Sequence, residues 1–122
     1  MPAEKERLIL AANATPGVGG QGMNLLHMIE GLKGLFDVSV YCRGGDTSVP
    51  KVDIPASRRS ALIGRIPVLR RLRDWQGFFN ETNFDAEVSR RLGPAAFFQG
   101  TTGQCLDSLA AAKANGSFAI LD

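Results

Sequence analysis

A glycine-rich loop between an apolar run and an amphipathic stretch constrains the fold of this chain most. Residues 8–35 read LILAANATPGVGGQGMNLLHMIEGLKGL. Residues 8–12 have the continuous apolar character of a strand that is buried on both faces. Residues 13–22 contain four glycines and one proline, and apolar side chains recur at helical spacing from Met23 onward. This order of elements favours anion binding, because the N–H groups and the dipole of the helix N-terminus face the loop.

Strand and helix patterns alternate through the rest of the chain. Further strands are predicted at residues 37–42, 51–54, 95–99 and 117–121. Strands that alternate with helices form βαβ units, whose right-handed crossovers produce a parallel sheet. The predicted fold class is therefore α/β, a Rossmann-like parallel sheet of about five strands with flanking helices. The first strand is expected in the centre, with the second and third on one side and the fourth and fifth on the other.

Helices are predicted over residues 67–79, 83–92 and 104–114. A break is predicted between the first two because the apolar stripe changes phase, and because Thr82 and Asp85 have the spacing of a capping box. Two sets of side chains are expected to face the core. They are Trp75, Phe78 and Phe79 in the helix at residues 67–79, and Leu106, Leu109 and Ala110 in the helix at residues 104–114.

The composition is that of a single ordinary domain. Of the 122 residues, 44% are hydrophobic and 21% are charged, and the net charge of +2 is too small to predict nucleic-acid binding. Cys42 and Cys105 stand alone in apolar surroundings, which predicts buried free thiols in a reducing compartment. His27 falls opposite the apolar stripe and is expected to face solvent, and no metal site is predicted. Without a signal-peptide pattern or a long apolar run, a cytoplasmic protein is expected.

The glycine loop matches known phosphate-binding motifs only in part. Residues 17–22 fit the pattern GxGxxG, but residues 13–16 separate them from the strand, and Arg43 stands where an acid would bind a ribose hydroxyl. An arginine there suits a 2′-phosphate, so an NADP-linked reductase is one alternative. Residues 15–22 also resemble the loop of short-chain dehydrogenases, with Pro16 in place of a glycine, although that family's Tyr and Lys pair is missing. An isolated, non-catalytic Rossmann-like binding module is the other alternative.

Two parts of the chain carry a family resemblance. The first is the opening strand, the long loop that ends in the pair Gly19-Gly20, and the helix rich in Leu and Met. The second is the run FDAEVSRRLGPAAFFQGTTGQCLDSLAAAKANGSFAILD, residues 84–122. Together they resemble the N-terminal part of family-4 retaining glycosyltransferases, which are two-domain GT-B enzymes. Residues 51–76 resemble nothing in that family.

The resemblance implies that residues 1–122 are an incomplete N-terminal, acceptor-side half of such an enzyme. The whole enzyme would move a sugar from a nucleotide-diphosphate donor to an acceptor hydroxyl with retention of configuration. The implied partners are the nucleotide sugar, a carbohydrate or lipid-linked acceptor, and a missing C-terminal domain, with no separate cofactor. The catalytic residues are expected beyond Asp122, so this chain is not expected to transfer sugar by itself.

The resemblance also implies which residues bind substrate. They are Asn13, Gly19, Gly20, Asn24, Gly100, Thr101, Thr102 and Gly103. Other roles stay open for several of them. Asn13 sits where the first turn begins, and Thr101, Thr102 and Gln104 can serve either as ligands of an acceptor or as turn and N-cap groups.

Residues 58–73 carry six arginines among apolar residues: Arg58, Arg59, Arg65, Arg70, Arg71 and Arg73. One interpretation is the solvated face of a packed helix. The other is a surface that rests on anionic lipid, because basic amphipathic segments bind membrane surfaces. That interpretation predicts peripheral attachment to the inner face of the membrane. Nucleic acid is not predicted as a partner, because no aromatic stacking platform accompanies the charge.

Overall fold

A computed structural model describes residues 4–55, 65 and 73–122 of the protein. In chain order, its elements are β1 (Arg7–Ala11), α1 (Gly19–Leu32), β2 (Asp37–Cys42), β3 (Lys51–Asp53), α2 (Arg73–Arg91), β4 (Phe97–Gly100), α3 (Leu106–Ala114) and β5 (Phe118–Leu121). The five strands are parallel and lie in the order β3-β2-β1-β4-β5. The predicted α/β fold class and strand order are confirmed.

The central strand β1 is buried on both faces. Leu10 packs with Leu25 and Ile29 of α1 in one hydrophobic core. Ile9, the preceding residue, packs in a second core that includes Phe84 of α2. Successive side chains of a strand point to opposite faces, so the continuous apolar run of β1 supplies both cores.

The strand register sets where the loops begin. Ala11, the last residue of β1, pairs with Tyr41 of β2 on one side and with Gly100 of β4 on the other. Because the strands are parallel, the loops that follow them start side by side at one edge of the sheet.

The predicted break before residue 83 is wrong, because α2 is a single helix. Phe84 and Val88 are buried in the second core, whereas Phe78 is 56% exposed, contrary to its predicted place in the core. Phe84 and Val88 thus place the C-terminal half of α2 against this core. The core prediction for Trp75 lies outside the described side chains.

Asp85 does not cap its own helix but caps the start of α3. It is 7% exposed, and its two carboxylate oxygens accept N–H bonds from Asp107 and Ser108, each 2.8 Å long. A carboxylate at this end of α3 interacts favourably with the helix dipole and satisfies two N–H groups that lack intrahelical acceptors.

The face of α3 that packs inward differs from the prediction. Ser108 and Ala112 are buried, and Leu109 packs partly against the second core. Leu106 is 82% exposed and Ala110 is exposed as well, so their predicted inward orientation is wrong. Asp85 reaches the start of α3 from another helix, so no residue within α3 signals this contact.

Cys42 and Cys105 are free and buried, as predicted. Burial raises the pKa of both thiols, because the thiolate would lose its hydration. In the part of the chain that the structure describes, no helix combines the length and apolar character needed to cross a membrane.

Candidate functional site

The candidate site lies at the carboxyl edge of the sheet, beside β1. β2 and β3 extend the sheet on one side of β1, and β4 and β5 extend it on the other. The connections after β1 and β4 lead to strands on opposite sides of the β1–β4 pair, and this switch in strand order is where open parallel sheets bind ligands; we call the region between these two loops the crevice. These loops are the two glycine turns, residues 13–22 and residues 100–103. The structure brings them together.

The first turn packs tightly against the start of α1. The N–H of Gly17 donates to the carbonyl of Gly22 (2.9 Å), and the N–H of Val18 donates to the carbonyl of Thr15 (3.0 Å). A Cβ atom added to Gly22 would lie 2.2 Å from that Thr15 oxygen. Packing within the turn therefore requires glycine at this position.

The N-terminus of α1 lacks a cap. Val18 occupies the N-cap position without a side-chain hydrogen bond, and the first helical turn of α1 contains no acidic residue. Gly19 and Gly20 are exposed, and a Cβ atom added to either would have no neighbour within 4 Å among the described residues. Gly19 also has a φ of 69°, a conformation that favours glycine. First-turn N–H groups have no intrahelical acceptor, so donors and open space coincide here.

Two of the predicted substrate-binding glycines lie in the second turn and differ in their surroundings. A Cβ atom added to Gly100 would lie 2.6 Å from Cβ of Cys105, so Gly100 is needed for close packing. Gly103 is exposed and has a φ of 83°, with open space around it. Gly103 is therefore the one of the two that leaves room for a ligand.

The two threonines of the second turn bond to the protein. The hydroxyl of Thr101 donates to the carbonyl of Ala11 (3.2 Å), which ties the turn to the end of β1. The N–H of Thr102 donates to the carbonyl of Asp122 (2.9 Å), and its hydroxyl donates to the same oxygen. Both hydroxyl groups thus donate to backbone carbonyl groups at the edge of the sheet.

Gln104 joins the two turns. Its side chain is nearly buried, and its Oε1 accepts the backbone N–H of Asn13 (3.0 Å) and the side-chain amide of Gln21 (3.3 Å). Asn13 thus lies between the end of β1 and the second turn. The contact between Gln104 and Asn13 spans 91 positions in sequence, so no local pattern could have indicated it.

Arg43, which directly follows β2, holds the crevice from the other side. Its Nε donates to Oδ1 of Asn13 (2.7 Å). Its remaining donors reach the carbonyl of Ile54 (3.1 Å), the carbonyl of Pro55, and both the carbonyl and Oδ1 of Asn80 (2.9 Å each). The guanidinium therefore ties the first turn to the end of β3 and to α2.

All five N–H groups of the Arg43 guanidinium face protein acceptors. Its central carbon lies 5.2 Å from the centroid of the Phe84 ring, a cation–π contact. Burial lowers the pKa of Arg43 from its ordinary value, because the cation loses hydration, yet an arginine remains charged at neutral pH. An arginine engaged in this way has no free pair of donors for the 2′-phosphate of NADP.

The remaining predicted residues lie away from the two turns or outside the described residues. Asn24 is exposed on α1 beyond its first turn, and His27 is exposed as predicted. Arg65 is exposed, and Arg73 begins α2. The predictions for Arg58, Arg59, Arg70 and Arg71 fall outside the described residues.

An apolar groove of about 550 Å³ adjoins the second turn. Phe78 of α2 and Leu106 and Leu109 of α3 line it, together with Gly103 and Leu121. Gly103 belongs to both the groove and the second turn, and Glu81, Asp85 and Asp107 are polar residues in the same lining. Among the described residues, no group of three His, Cys, Asp or Glu side chains could hold a metal ion.

No protein-family model matches this chain, and no curated protein is significantly similar to it. The fold is Rossmann-like, and such folds support many unrelated functions. The fold alone therefore does not identify a function, and the residues of the crevice are the features that can.

Proposed function

We propose that this chain is part of the acceptor-side, Rossmann-like domain of a retaining glycosyltransferase. The intact enzyme moves a sugar from a nucleotide-diphosphate donor to an acceptor hydroxyl. The observation that carries the proposal is the uncapped N-terminus of α1 beside the crevice between β1 and β4. In this proposal the donor diphosphate lies over Gly19 and Gly20 and accepts hydrogen bonds from first-turn N–H groups.

The charge and space at this helix N-terminus suit a diphosphate. The helix dipole places about half a positive charge there, and no carboxylate in the first turn opposes an anion. Sugar transfer leaves negative charge on the departing diphosphate, and fixed N–H donors stabilise that charge without reorganising. The contribution of these residues to catalysis in this proposal is binding and charge stabilisation.

The environment of Arg43 favours this proposal over the NADP-linked reductase. The reductase needs a group after β2 that recognises the ribose or its 2′-phosphate. Arg43 occupies that position with every N–H donor turned toward Asn13, Asn80 and two carbonyl groups after β3. A glycosyltransferase makes no such demand on this residue.

We also propose that residues 58–73 hold the enzyme against an anionic membrane surface. Six arginines in this segment support the idea, since each basic side chain near an anionic surface contributes about 1 kcal/mol. The apolar groove beside the second turn suits an acceptor that carries hydrocarbon. A peripheral location on the inner face of the membrane fits both features.

The test uses the ¹⁵N-labelled chain, titrated with a nucleoside diphosphate and followed by amide NMR spectra. Wild type is expected to show shifts of the backbone N–H signals of Gly20 and Gln21. Gly20→Val should abolish them, because a branched side chain fills the open space over the helix N-terminus. Gly31→Val is the matched control, since Gly31 is also exposed on α1 with open space around it.

The two variants are expected to differ in binding. Loss of binding in Gly20→Val with retained binding in Gly31→Val supports it. Shifts confined to residues away from the two turns, or equal binding by both variants, would overturn it.

A further inference from the structure

In the side-chain amides of Gln104 and Asn13, the oxygens accept hydrogen bonds from the protein, whereas the nitrogens have no acceptor among the described residues. Gln104 is 8% exposed, and its Oε1 accepts two hydrogen bonds, from Asn13 N–H and from Gln21 Nε2. Its Nε2 has no acceptor among the residues that the structure describes. A nearly buried side chain thus keeps two donors unused.

The orientation of the Gln104 amide is fixed by the backbone. The N–H of Asn13 can only donate, so the oxygen of Gln104 must face it. Turning the amide over would place its NH₂ group against that N–H, donor against donor. The nitrogen is therefore the end left for a ligand.

The nitrogen of Gln104 also reaches solvent. Within the described part of the chain, Ser108 Oγ is the one side-chain N or O atom that is both sealed from solvent and without a partner. Gln104 Nε2 is partnerless, so it cannot be sealed. It shares its amide carbon with the oxygen that contacts Gln21, a residue of the first turn of α1. The Gln104 amide thus contacts the side chain of a residue at the uncapped N-terminus of α1.

Asn13 repeats this arrangement on the first turn. Its Oδ1 accepts the Nε–H of Arg43 at 2.7 Å, and its Nδ2 has no acceptor among the described residues. Two neighbouring amides thus have oxygens occupied by protein donors and NH₂ groups without protein acceptors. Together with the N–H groups of α1, they give the crevice an excess of donors over acceptors.

We propose that Gln104 and Asn13 bind, through their side-chain NH₂ groups, the same anionic group that lies over the N-terminus of α1. The two turns then form one binding site for a phosphate or diphosphate. Such a ligand presents several acceptor oxygens and forms strong, charge-assisted hydrogen bonds with N–H donors. A sugar hydroxyl carries a proton of its own and would use the excess of donors less well. This inference rests on the proposed function, because it concerns the same site.

The test compares Gln104→Glu with wild type. A glutamate keeps the shape of the side chain and an oxygen for Asn13 N–H, while it removes the NH₂ group and adds a negative charge. Binding of pyrophosphate should weaken by at least roughly tenfold. Gln99→Glu is the matched control, because it makes the same chemical change on β4, where the side-chain amide of Gln99 donates to the sulfur of Met28. Its affinity should stay close to that of wild type.

A second measurement needs no variant. In ¹⁵N spectra of wild type, the side-chain NH₂ signals of Gln104 and Asn13 should shift as pyrophosphate is added. Parallel titrations with inorganic phosphate and with a nucleoside diphosphate distinguish the source of the anionic group. Shifts with all three indicate recognition of the phosphate itself, whereas shifts with the nucleotide alone would overturn the assignment to its phosphates.

Failure of this inference is distinguishable from failure of the proposed function. If pyrophosphate moves the backbone N–H signals of Gly20 and Gln21 but not the NH₂ signals of Gln104 and Asn13, the inference is wrong and the helix N-terminus remains the site. If no anion moves any of these signals, both are wrong.

Discussion

The glycines of the first turn of α1 should respond very differently to alanine. Gly22→Ala places a Cβ atom 2.2 Å from the carbonyl oxygen of Thr15, whereas Gly20→Ala meets nothing within 4 Å among the described residues. A carbon and an oxygen normally stay at least about 3.3 Å apart, so the two segments must separate by roughly 1 Å. The obstacle is backbone, which cannot rotate away as a side chain would.

The cost of that separation follows from the hydrogen bonds it disturbs. The bonds from Gly17 N–H to Gly22 and from Val18 N–H to Thr15 (2.9 and 3.0 Å) both cross the region that must open. At about 1 kcal/mol each, with some strain left over, the loss is roughly 2–4 kcal/mol. Alanine regains about 0.5–1 kcal/mol of helix propensity. The net loss for Gly22→Ala is therefore about 1–3.5 kcal/mol.

Gly20→Ala provides the matched comparison. The same gain in helix propensity applies without a clash, so its free energy of unfolding should equal or exceed that of wild type by up to about 1 kcal/mol. Urea unfolding followed by circular dichroism measures both variants, with a difference of roughly 2–4 kcal/mol expected between them. Equal stabilities within about 0.5 kcal/mol would refute the close packing of the Thr15 carbonyl against Gly22 of α1.

Three further predictions concern other parts of the molecule. Asp85→Ala should lower the free energy of unfolding by about 2–4 kcal/mol, because two N–H groups at the start of α3 lose their charged acceptor. In the same urea experiment Glu87→Gln, which removes ion pairs with the exposed Arg90 and Arg91, should cost under about 1 kcal/mol, and equal losses would contradict the capping role. Phe118 is 67% exposed on the edge strand β5, so Phe118→Lys should reduce self-association in analytical ultracentrifugation; an unchanged distribution of species would count against that surface. Arg70→Glu combined with Arg73→Glu should weaken co-sedimentation with anionic vesicles but not with neutral ones, and high salt should weaken wild-type binding too; binding indifferent to charge would leave residues 58–73 without a membrane role.

The sequence by itself determined the fold class and the order of the strands. Each strand is a short apolar or alternating run, and α1 is marked by the helical spacing of its apolar residues. Right-handed crossovers then leave few ways to arrange βαβ units in one sheet. Both glycine turns also follow strands in the sequence, so their meeting at one edge of a parallel sheet could be predicted without coordinates.

What the tertiary structure decided involves partners that are distant in sequence. The single helix α2 contradicts a local capping signal because Asp85 finds better donors in α3, 22 and 23 positions away. Leu106 faces outward and Ser108 inward, which the sequence pattern within α3 did not predict. Buried polar groups bond to whichever complementary groups the fold brings near them, since an unpaired group costs free energy. For the same reason Arg43 bonds to Asn80 of α2, and Gln104 bonds to Asn13 of the first glycine turn. The neighbouring residues in sequence predict neither contact.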